Sequence, residues 1–409
     1  MTDLRETLRR LYARVPAGRR LGLEPISKAC EHFGHPERFF EVVHVAGTNG
    51  KGTVCAFVAN MAKAAGRRTG LFTSPHLIKF AERIQIDLCP VSDAQLAETL
   101  DIVLSREPDL TFFEVATLAA LLTFHEAKVE LAVLEVGLGG RLDATNVVPP
   151  PRIAAISRVA FDHMQELGHT LTDIAREKAA IIKPGSAVVT GRLHPEAQAA
   201  VQQRVAEVGA RVVPLGSPEP IPGAPLGYPR IAMLGSNLAV ATAIGRELGY
   251  DPHDMARGIE ATTWPGRNEL LHRNGQDITL LDSAHNPDGA VTLSHLLDPS
   301  LLAEIDSRRD IALVFGALSR KNWKAMLRRL EHVAGHRVYV KPPMPSAVEP
   351  EEMAQFLRGD VSSSIADGLV RARSLVGHQG VVVVTGSTFL VGAARALLLG
   401  IEGDPAVDM

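Results

Sequence analysis

Cysteine is scarce in this chain of 409 residues, which contains only Cys30, Cys55 and Cys89. An odd number of cysteines at these separations fits neither a disulfide framework nor a zinc site. A reducing compartment is the simpler interpretation, and we expect the protein to be cytoplasmic.

Long apolar runs are also lacking. The longest apolar tracts, such as 115–124 and 380–399, are too short or too interrupted to cross a bilayer, and the first residues lack the apolar core of a secretory leader. We therefore expect neither secretion nor membrane association.

Neither sign of charge dominates the composition. The 43 basic and 46 acidic residues leave a formal net charge of -3 at pH 7. The chain therefore lacks the basic excess that is typical of nucleic-acid-binding proteins, although a small anionic ligand stays open. Since 46% of the residues are hydrophobic, the chain can build the sizeable cores of two or three globular domains.

The most informative feature that is present is a glycine-rich turn between a strand-like run and a helical pattern. The apolar run 42–46 leads into Gly-Thr-Asn-Gly-Lys-Gly-Thr at 47–53, and apolar residues recur at helical spacing from Val54 onward. Glycines let the backbone approach an anion, and a helix N-terminus directs free N–H groups at it. Lys51 adds a positive charge and Thr53 a hydroxyl for Mg²⁺. The turn therefore predicts a phosphate-binding loop, although Val45 and Gly52 depart from the usual pattern.

Strand-like runs alternate with helix-length segments from residue 42 onward, which predicts an α/β fold with a doubly wound, mainly parallel sheet. The predicted strands of this first sheet are 42–46, 70–73, 131–136, 153–157 and 187–190. We interpret the proline-rich stretch 214–230 as an exposed loop of the same domain.

A second, smaller α/β domain is predicted after the turn at 264–267, which sets the domains at 1–265 and 266–409. Its predicted strands lie near 278–283, 311–316, 337–341 and 381–385.

Polar residues follow two strands of the first sheet. Glu135 ends a buried-looking run, where a carboxylate needs a cation or several hydrogen-bond donors. Capping of the following glycine turn is the alternative role for Glu135. His163 follows the strand 153–157, and because ligands collect at the carboxyl ends of parallel strands, we expect it near Glu135 and Thr53. By pattern alone a lone histidine is more often structural, and Lys178 belongs on a solvated helix face.

The second domain has a comparable strand-to-helix turn at 282–287. Asn286 suits a helix N-cap and Pro287 the first helical position. Capping leaves Asp282 and His285 unexplained. The turn at 385–388 could receive a carboxylate at a helix N-terminus, although simple capping explains it equally well.

Together these features closely resemble folylpolyglutamate synthase/dihydrofolate synthase, a family within the Mur ligase superfamily of ATP-dependent amide-forming enzymes. In this family the Gly-Thr-Asn-Gly-Lys-Gly-Ser/Thr loop is the ordinary form, and only Ser283, where many members have glycine, departs from its motifs. The matching motifs follow the family's order at 47–53, 73–77, 135–146, 176–179, 264–267 and 282–287.

The resemblance implies a P-loop central domain followed by a Rossmann-like glutamate-ligase domain. ATP, the cosubstrate, phosphorylates a carboxyl group of the folate, and the amine of L-glutamate then attacks the acyl phosphate. The implied substrates are L-glutamate and a reduced folate or dihydropteroate. Two Mg²⁺ ions and a monomeric protein are also implied.

The resemblance also assigns roles to single residues, and domain closure would bring those of the second domain to ATP. Lys178 is expected as a carbamate, which turns a cation into an anion. The expected catalytic residues are Lys51, His163 and Lys178. The expected metal ligands are Thr53, Glu135, His163 and Lys178. The expected ATP-binding residues are Thr48, Asn49, Gly50, Lys51, Gly52, Thr53, Arg267, Asp282 and His285. The expected folate-binding residues are Ser74, Pro75, His76 and Arg83.

Two alternatives compete with this interpretation. A Mur-type peptidoglycan ligase would need an additional N-terminal domain for its UDP-sugar, yet the phosphate loop begins by residue 47. A non-catalytic nucleotide switch would not need Glu135, His163 and Lys178 beside an intact second-domain motif.

Overall fold

The computed structural model describes residues 3–14, 22–216, 232–273, 277–297 and 310–404. Most of the predicted loop at 214–230 lies outside these residues. The chain separates into two compact units. The first contains the chain up to His76 and Phe80–Thr263, and the second contains Leu77–Lys79 and the chain from Trp264 onward. No sequence pattern predicted that Leu77–Lys79 belongs with the second unit.

The described strands and helices alternate along much of the chain. The strands are β1 Glu41–Ala46, β2 Thr69–Phe72, β3 Ile84–Ile86, β4 Cys89–Pro90, β5 Leu131–Glu135, β6 Ile153–Ile156, β7 Ala187–Thr190, β8 Arg211–Val212, β9 Glu269–Arg273, β10 Asp277–Leu281, β11 Ile311–Phe315, β12 His336–Tyr339, β13 Asp360–Val361 and β14 Val381–Thr385. The helices are α1 Leu4–Tyr12, α2 Glu24–His32, α3 Lys51–Ala64, α4 Asp93–Arg106, α5 Phe112–Glu126, α6 Met164–Leu167, α7 Leu171–Ala179, α8 Pro195–Val208, α9 Ala232–Glu247, α10 Pro252–Glu260, α11 Pro287–Leu296, α12 Trp323–Leu330, α13 Pro350–Phe356, α14 Ile365–Val376 and α15 Thr388–Leu399.

The sheet of the first unit has the order β4-β3-β2-β5-β1-β6-β7-β8 among the described residues. The strands from β2 to β8 in this order pair in parallel, and β3 and β4 add an antiparallel edge. The central strand β5 is buried along its whole length, as expected where helices cover both faces of a parallel sheet. The predicted doubly wound, mainly parallel sheet is confirmed.

Helix α3 follows β1 directly and is more deeply buried than its sequence predicts. An apolar face was expected, but every residue from 54 to 62 is buried. Helices α9 and α10 both pack against α3, and they cover the side that would otherwise face solvent. The helix stops at Ala64, and Gly66 follows it in a left-handed conformation with φ +79°.

The sheet of the second unit has the order β13-β12-β11-β14-β10-β9 among the described strands. All neighbouring strands from β13 to β10 in this order pair in parallel, whereas β9 is antiparallel to β10. Strand β9 was not predicted, because its residues lie directly after the Trp-Pro-Gly-Arg turn. None of the described helices is long and apolar enough to cross a membrane.

Packing of α10 on α3 provides a test of the first unit's core. An alanine Cβ at Gly258 would lie 2.5 Å from the Cα atom of Met61, a backbone atom that cannot rotate away. We expect Gly258→Ala to lower the free energy of unfolding by about 1–3 kcal/mol, as measured by urea denaturation. Gly335→Ala is the control, because no atom lies within 4 Å of its added Cβ. Equal unfolding midpoints for the two variants would contradict the close α3–α10 packing.

Candidate active site

The glycine-rich loop between β1 and α3 is fixed by the segment that follows β6. The backbone N–H of Thr48 donates to the carbonyl of Arg158 at 2.6 Å, and the Thr48 hydroxyl donates to the carbonyl of Ala160 at 3.0 Å. Ser157 Oγ donates to the carbonyl of Asn49 at 2.8 Å. Neither Ser157 nor Ala160 was predicted from the sequence, because their role depends on the parallel pairing of β1 with β6.

Two positions of this loop need glycine because side chains from other segments lie close to the backbone there. An added Cβ would lie 2.0 Å from Ser157 Oγ at Gly47 and 2.2 Å from Asn237 Oδ1 at Gly50. Gly50 is also left-handed, with φ +83°, and caps α3 without a side-chain hydrogen bond. The first turn of α3, which includes Lys51, Gly52 and half-buried Thr53, thus begins without a capping side chain. This is the arrangement in which helix N–H groups bind phosphate oxygens.

Glu135 ends β5 next to this loop. Its Oε2 accepts a hydrogen bond from the backbone N–H of Ser74 at 3.0 Å, and its Oε1 lies 3.9 Å from Lys51 Nζ. The carboxylate is almost fully buried. The glycine turn after β5 is held by Asp143, which accepts a hydrogen bond from the backbone N–H of Leu138. Asp143 therefore supplies a hydrogen-bond acceptor to this turn, for which Glu135 was the predicted alternative.

Lys178 is buried in α7 rather than placed on a solvated face. Its Nζ donates to the carbonyl of Gly47 at 3.0 Å. Burial, followed by the positive charge of Lys51, lowers the pKa of Lys178 to about 7. Much of the amine is therefore uncharged at neutral pH, a state in which it is nucleophilic.

His163 begins the short helix α6 in a left-handed conformation, with φ 51°. Its backbone N–H donates to Asp162 Oδ1 at 2.9 Å. Its ring nitrogens lie 3.9 Å from Asp162 Oδ1 and 4.0 Å from Glu166 Oε2. Among the described residues, no group of three or more His, Cys, Asp or Glu side chains is arranged to hold a metal ion. Glu135 and His163 therefore do not belong to such a group.

The predicted folate-side residues centre on a buried arginine. Arg83 Nε donates to His76 Nδ1 at 2.8 Å, and its guanidinium lies 5.3 Å from the ring centres of both Phe80 and Phe112. Burial lowers the pKa of Arg83 to about 10. Burial and the Arg83 charge together hold the pKa of His76 well below its usual value. The two aromatic rings were not predicted as part of this group, and the nearby Ser74–Pro75 peptide bond is cis.

The second unit brings together its own three predicted residues. Arg267 Nη1 donates to the carbonyl of Ser283 at 3.0 Å, and His285 Nδ1 lies 3.0 Å from the same carbonyl. Burial raises the pKa of Asp282, and Arg267 opposes this rise. The predicted cap is confirmed, because Asn286 Oδ1 accepts from the backbone N–H of Gly289 at 2.8 Å and Pro287 starts α11.

Comparison with known proteins identifies the family. A model described as the Mur ligase middle domain matches residues 45–217, and one described as the Mur ligase glutamate ligase domain matches residues 266–388. The folylpolyglutamate synthase of Lacticaseibacillus casei is 33% identical over 90% of this chain and 92% of its own length. The chain belongs to the folylpolyglutamate synthase/dihydrofolate synthase family.

Solved structures of the family share the whole fold. Escherichia coli FolC in complex with DHPP and ADP is 27% identical and superposes with a TM-score of 0.87 over 98% of both chains. A bifunctional folylpolyglutamate synthase/dihydrofolate synthase with Mn, AMPPNP and L-glutamate bound is 31% identical, with a TM-score of 0.81 over 93% of this chain and 95% of its own. The prediction of an ATP-dependent ligase of this family is confirmed, and the peptidoglycan-ligase and nucleotide-switch alternatives are not supported.

The lowered pKa of Lys178 predicts a pH-dependent stability. The unfolded chain holds this proton up to the ordinary pKa of 10.5, whereas the folded protein releases it near pH 7. Between these values the unfolded state binds more protons, so the free energy of unfolding rises with pH. Between pH 7 and pH 9, we expect the free energy of unfolding of the wild type to rise by about 2 kcal/mol more than that of Lys178→Met.

Urea denaturation at the two pH values in CO₂-free buffer measures this difference. Lys63→Met is the control, because Lys63 lies on an exposed part of the same protein. A wild type and a Lys178→Met variant with the same pH dependence would contradict a buried, titrating amine at this position.

Proposed function

We propose that the protein joins the amine of L-glutamate to the γ-carboxyl group of a reduced folate, and that the same site converts dihydropteroate to dihydrofolate. The observation that carries this proposal is the placement of Lys51 and Glu135 at the open N-terminus of α3, with the Lys178 amine on the other side of the loop. A cation, a carboxylate and uncapped helix N–H groups in one place suit the transfer of a phosphoryl group.

ATP would bind with its β- and γ-phosphates at the loop 47–53. The loop backbone, including Thr48, Asn49 and Gly50, surrounds the phosphates, and Lys51 supplies the charge that offsets the γ-phosphate as it transfers. The amine of Lys51 is held near this position by Glu135. Arg267, Asp282 and His285, which form one cluster in the second unit, would contact the rest of the nucleotide.

The residues present also fit Mg²⁺. This ion usually takes one or two protein oxygens together with substrate phosphates and water, so a group of three carboxylate or imidazole side chains is not required. The Thr53 hydroxyl, the Glu135 carboxylate and His163 would hold the ion at the γ-phosphate. When bound, the metal neutralises charge on the transferring phosphoryl group.

A second Mg²⁺ would need an anion at Lys178. An uncharged lysine amine attacks CO₂, forming an N–C bond and releasing one proton, and the product is a carbamate anion. The burial that lowers the pKa of Lys178 to about 7 supplies the uncharged amine. The two oxygens of the carbamate would then be metal ligands of the kind that Mg²⁺ prefers.

The folate or dihydropteroate would bind on the side of Ser74, Pro75, His76 and Arg83. Phosphorylation of its carboxyl group gives an acyl phosphate, and the glutamate amine displaces phosphate with loss of a proton. The Ser74 backbone N–H, which donates to Glu135, connects this segment to the proposed metal ligand.

We also propose that the enzyme acts as a monomer in the cytoplasm.

Product analysis tests the proposed reaction. Purified protein is incubated with ATP, Mg²⁺ and L-glutamate plus either dihydropteroate or tetrahydrofolate, and mass spectrometry measures the products. Addition of glutamate to both acceptors is the expected result. Addition to one acceptor alone would restrict the proposal to that reaction, and addition to neither by folded, ATP-binding protein would reject it.

A variant without the Lys51 amine tests the proposed phosphate site. Lys51→Met leaves the γ-phosphate without its lysine, and we expect ligation to fall by at least about 100-fold. Lys63→Met changes an exposed lysine at the other end of the same helix and should retain wild-type turnover. Near-normal turnover of Lys51→Met would contradict the assigned phosphate site.

Loss of the Glu135 charge should alter the metal requirement. Glu135→Gln keeps an oxygen that accepts from the Ser74 N–H but loses the negative charge, so half-maximal activity should need at least about 10-fold more Mg²⁺. Glu98→Gln, on the exposed side of α4, is the control. An unchanged Mg²⁺ dependence in Glu135→Gln would show that this carboxylate is not a metal ligand.

A further inference from the structure

His44 is a buried histidine on β1, three residues before Gly47, and no part of the proposed chemistry uses it. Its Nε2 lies 2.8 Å from the hydroxyl of Thr145. Its Nδ1 is buried and has no hydrogen-bond partner among the described residues. Burial lowers the pKa of His44 to about 3, so the ring is neutral and carries one proton.

The neighbouring groups determine which nitrogen carries that proton. Asp143 Oδ1 accepts hydrogen bonds from both the hydroxyl and the backbone N–H of Thr145, and Asp143 Oδ2 accepts from the backbone N–H of Leu138 at 2.8 Å. Every one of these partners is a donor, which favours the ionised carboxylate although burial raises its pKa. The single hydroxyl hydrogen of Thr145 is therefore donated to Asp143. Thr145 Oγ1 must then accept from His44, which places the proton on Nε2.

The hydrogen-bond chain from His44 to Asp143 is part of a closed ring of contacts that runs through α7 and returns to Gly47. Asp143 fixes the loop 137–143 through Leu138. This loop contacts α7, because the Arg141 backbone N–H donates to the carbonyl of Glu177 at 2.9 Å. An added Cβ at Gly140 would lie 2.6 Å from that same carbonyl. Lys178, the next residue of α7, bonds to Gly47, and Gly47 leads back along β1 to His44.

Through this ring of contacts, a hydrogen-bond donor at His44 would influence the positions of Glu135 and Lys178. Glu135 lies two residues before the first residue of the loop 137–143, and Lys178 lies on the helix that this loop contacts. Two of the four proposed metal ligands, Glu135 and Lys178, are thus connected to one frame, which is joined to the phosphate loop at Gly47 and to β1 at His44. A group that orients metal ligands without touching the metal typically changes affinity or activity by about 10- to 100-fold when it is removed.

We propose that His44 is a positioning residue of the ligase reaction, which acts through Thr145 and Asp143 to set the loop between Glu135 and Lys178. His44 touches no substrate in this role. The inference rests on the proposed metal-binding function of Glu135 and Lys178, and it adds a residue outside the site to that function.

Variants at His44 and Thr145 test the chain of donors. His44→Leu removes the donor and keeps an apolar side chain, whereas His44→Gln keeps an N–H near the position of Nε2. We expect His44→Leu to weaken Mn²⁺ binding in the presence of AMPPNP by about 10- to 100-fold, as measured by electron paramagnetic resonance. The KM for the folate should stay within about twofold, and His44→Gln should restore most of the Mn²⁺ affinity.

Thr145→Val should reproduce this loss, and the double variant His44→Leu/Thr145→Val should lose no more than either single variant, because both interrupt one chain. Thr242→Val is the matched control. Its buried hydroxyl donates within α9, to the carbonyl of Leu238 at 2.7 Å, and its removal should leave Mn²⁺ binding unchanged. Thermal unfolding of each variant separates weaker metal binding from loss of the fold.

Nuclear magnetic resonance of ¹⁵N-histidine-labelled protein provides a readout that needs neither metal nor activity. The His44 ring should show the neutral tautomer with hydrogen on Nε2. A hydrogen on Nδ1, or wild-type Mn²⁺ affinity in folded His44→Leu and Thr145→Val, would overturn this inference while leaving the proposed function intact. Wild-type protein that fails to ligate glutamate would overturn the proposed function and this inference with it.

Discussion

Parallel pairing of β2, β5, β1 and β6 is the constraint on which the candidate active site depends. The register aligns Phe72 with Leu134, Val45 with Glu135 and Ala46 with Ile156, so the segments that follow these strands leave the sheet at one edge. Residues far apart in the chain therefore meet there. Ser157 reaches the carbonyl of Asn49, and the Ser74 N–H reaches Glu135. A slip of one residue would turn these side chains to the other face of the sheet.

This edge gathers buried charge, which the fold must compensate before any ligand binds. Glu135 has the Ser74 N–H and the Lys51 amine nearby. Lys178 has one carbonyl oxygen at hydrogen-bond distance among the residues that the structure describes. The weaker compensation of Lys178 accounts for its lowered pKa, since one neutral acceptor does not offset burial beside another cation. The Lys51 ammonium and the uncapped N–H groups at the start of α3 complement the phosphates of ATP.

The sequence predicts local features of this structure well and tertiary ones poorly. The strand predicted at 42–46 is observed at Glu41–Ala46, and Asn286 caps α11 as predicted, because apolar runs and caps are short-range signals. The burial of Lys178, the contact of Asn237 with Gly50 and the packing of Leu77 with the second unit have no such signal. Each depends on a contact between distant segments. The roles of His163 and Lys178 came from family resemblance, and spacing alone would have left both as structural residues.

Nδ1 of His44 is buried and has no hydrogen-bond partner in the part of the chain that the structure describes, so this histidine is costly unless its other nitrogen has a role. Leaving a buried acceptor without a partner costs about 1–3 kcal/mol, and an apolar residue at this position on β1 would avoid that cost. A histidine gains only the bond from Nε2 to Thr145. Because Thr145 donates in turn to the buried Asp143 carboxylate, that bond belongs to a chain ending on a charge, where hydrogen bonds contribute about 1.5–3 kcal/mol each. The cost of the unpaired Nδ1 and the gain from the Nε2 hydrogen bond nearly cancel in the free energy of unfolding. Compared with an apolar side chain, the histidine therefore contributes the orientation of Asp143 and of the loop that Asp143 holds.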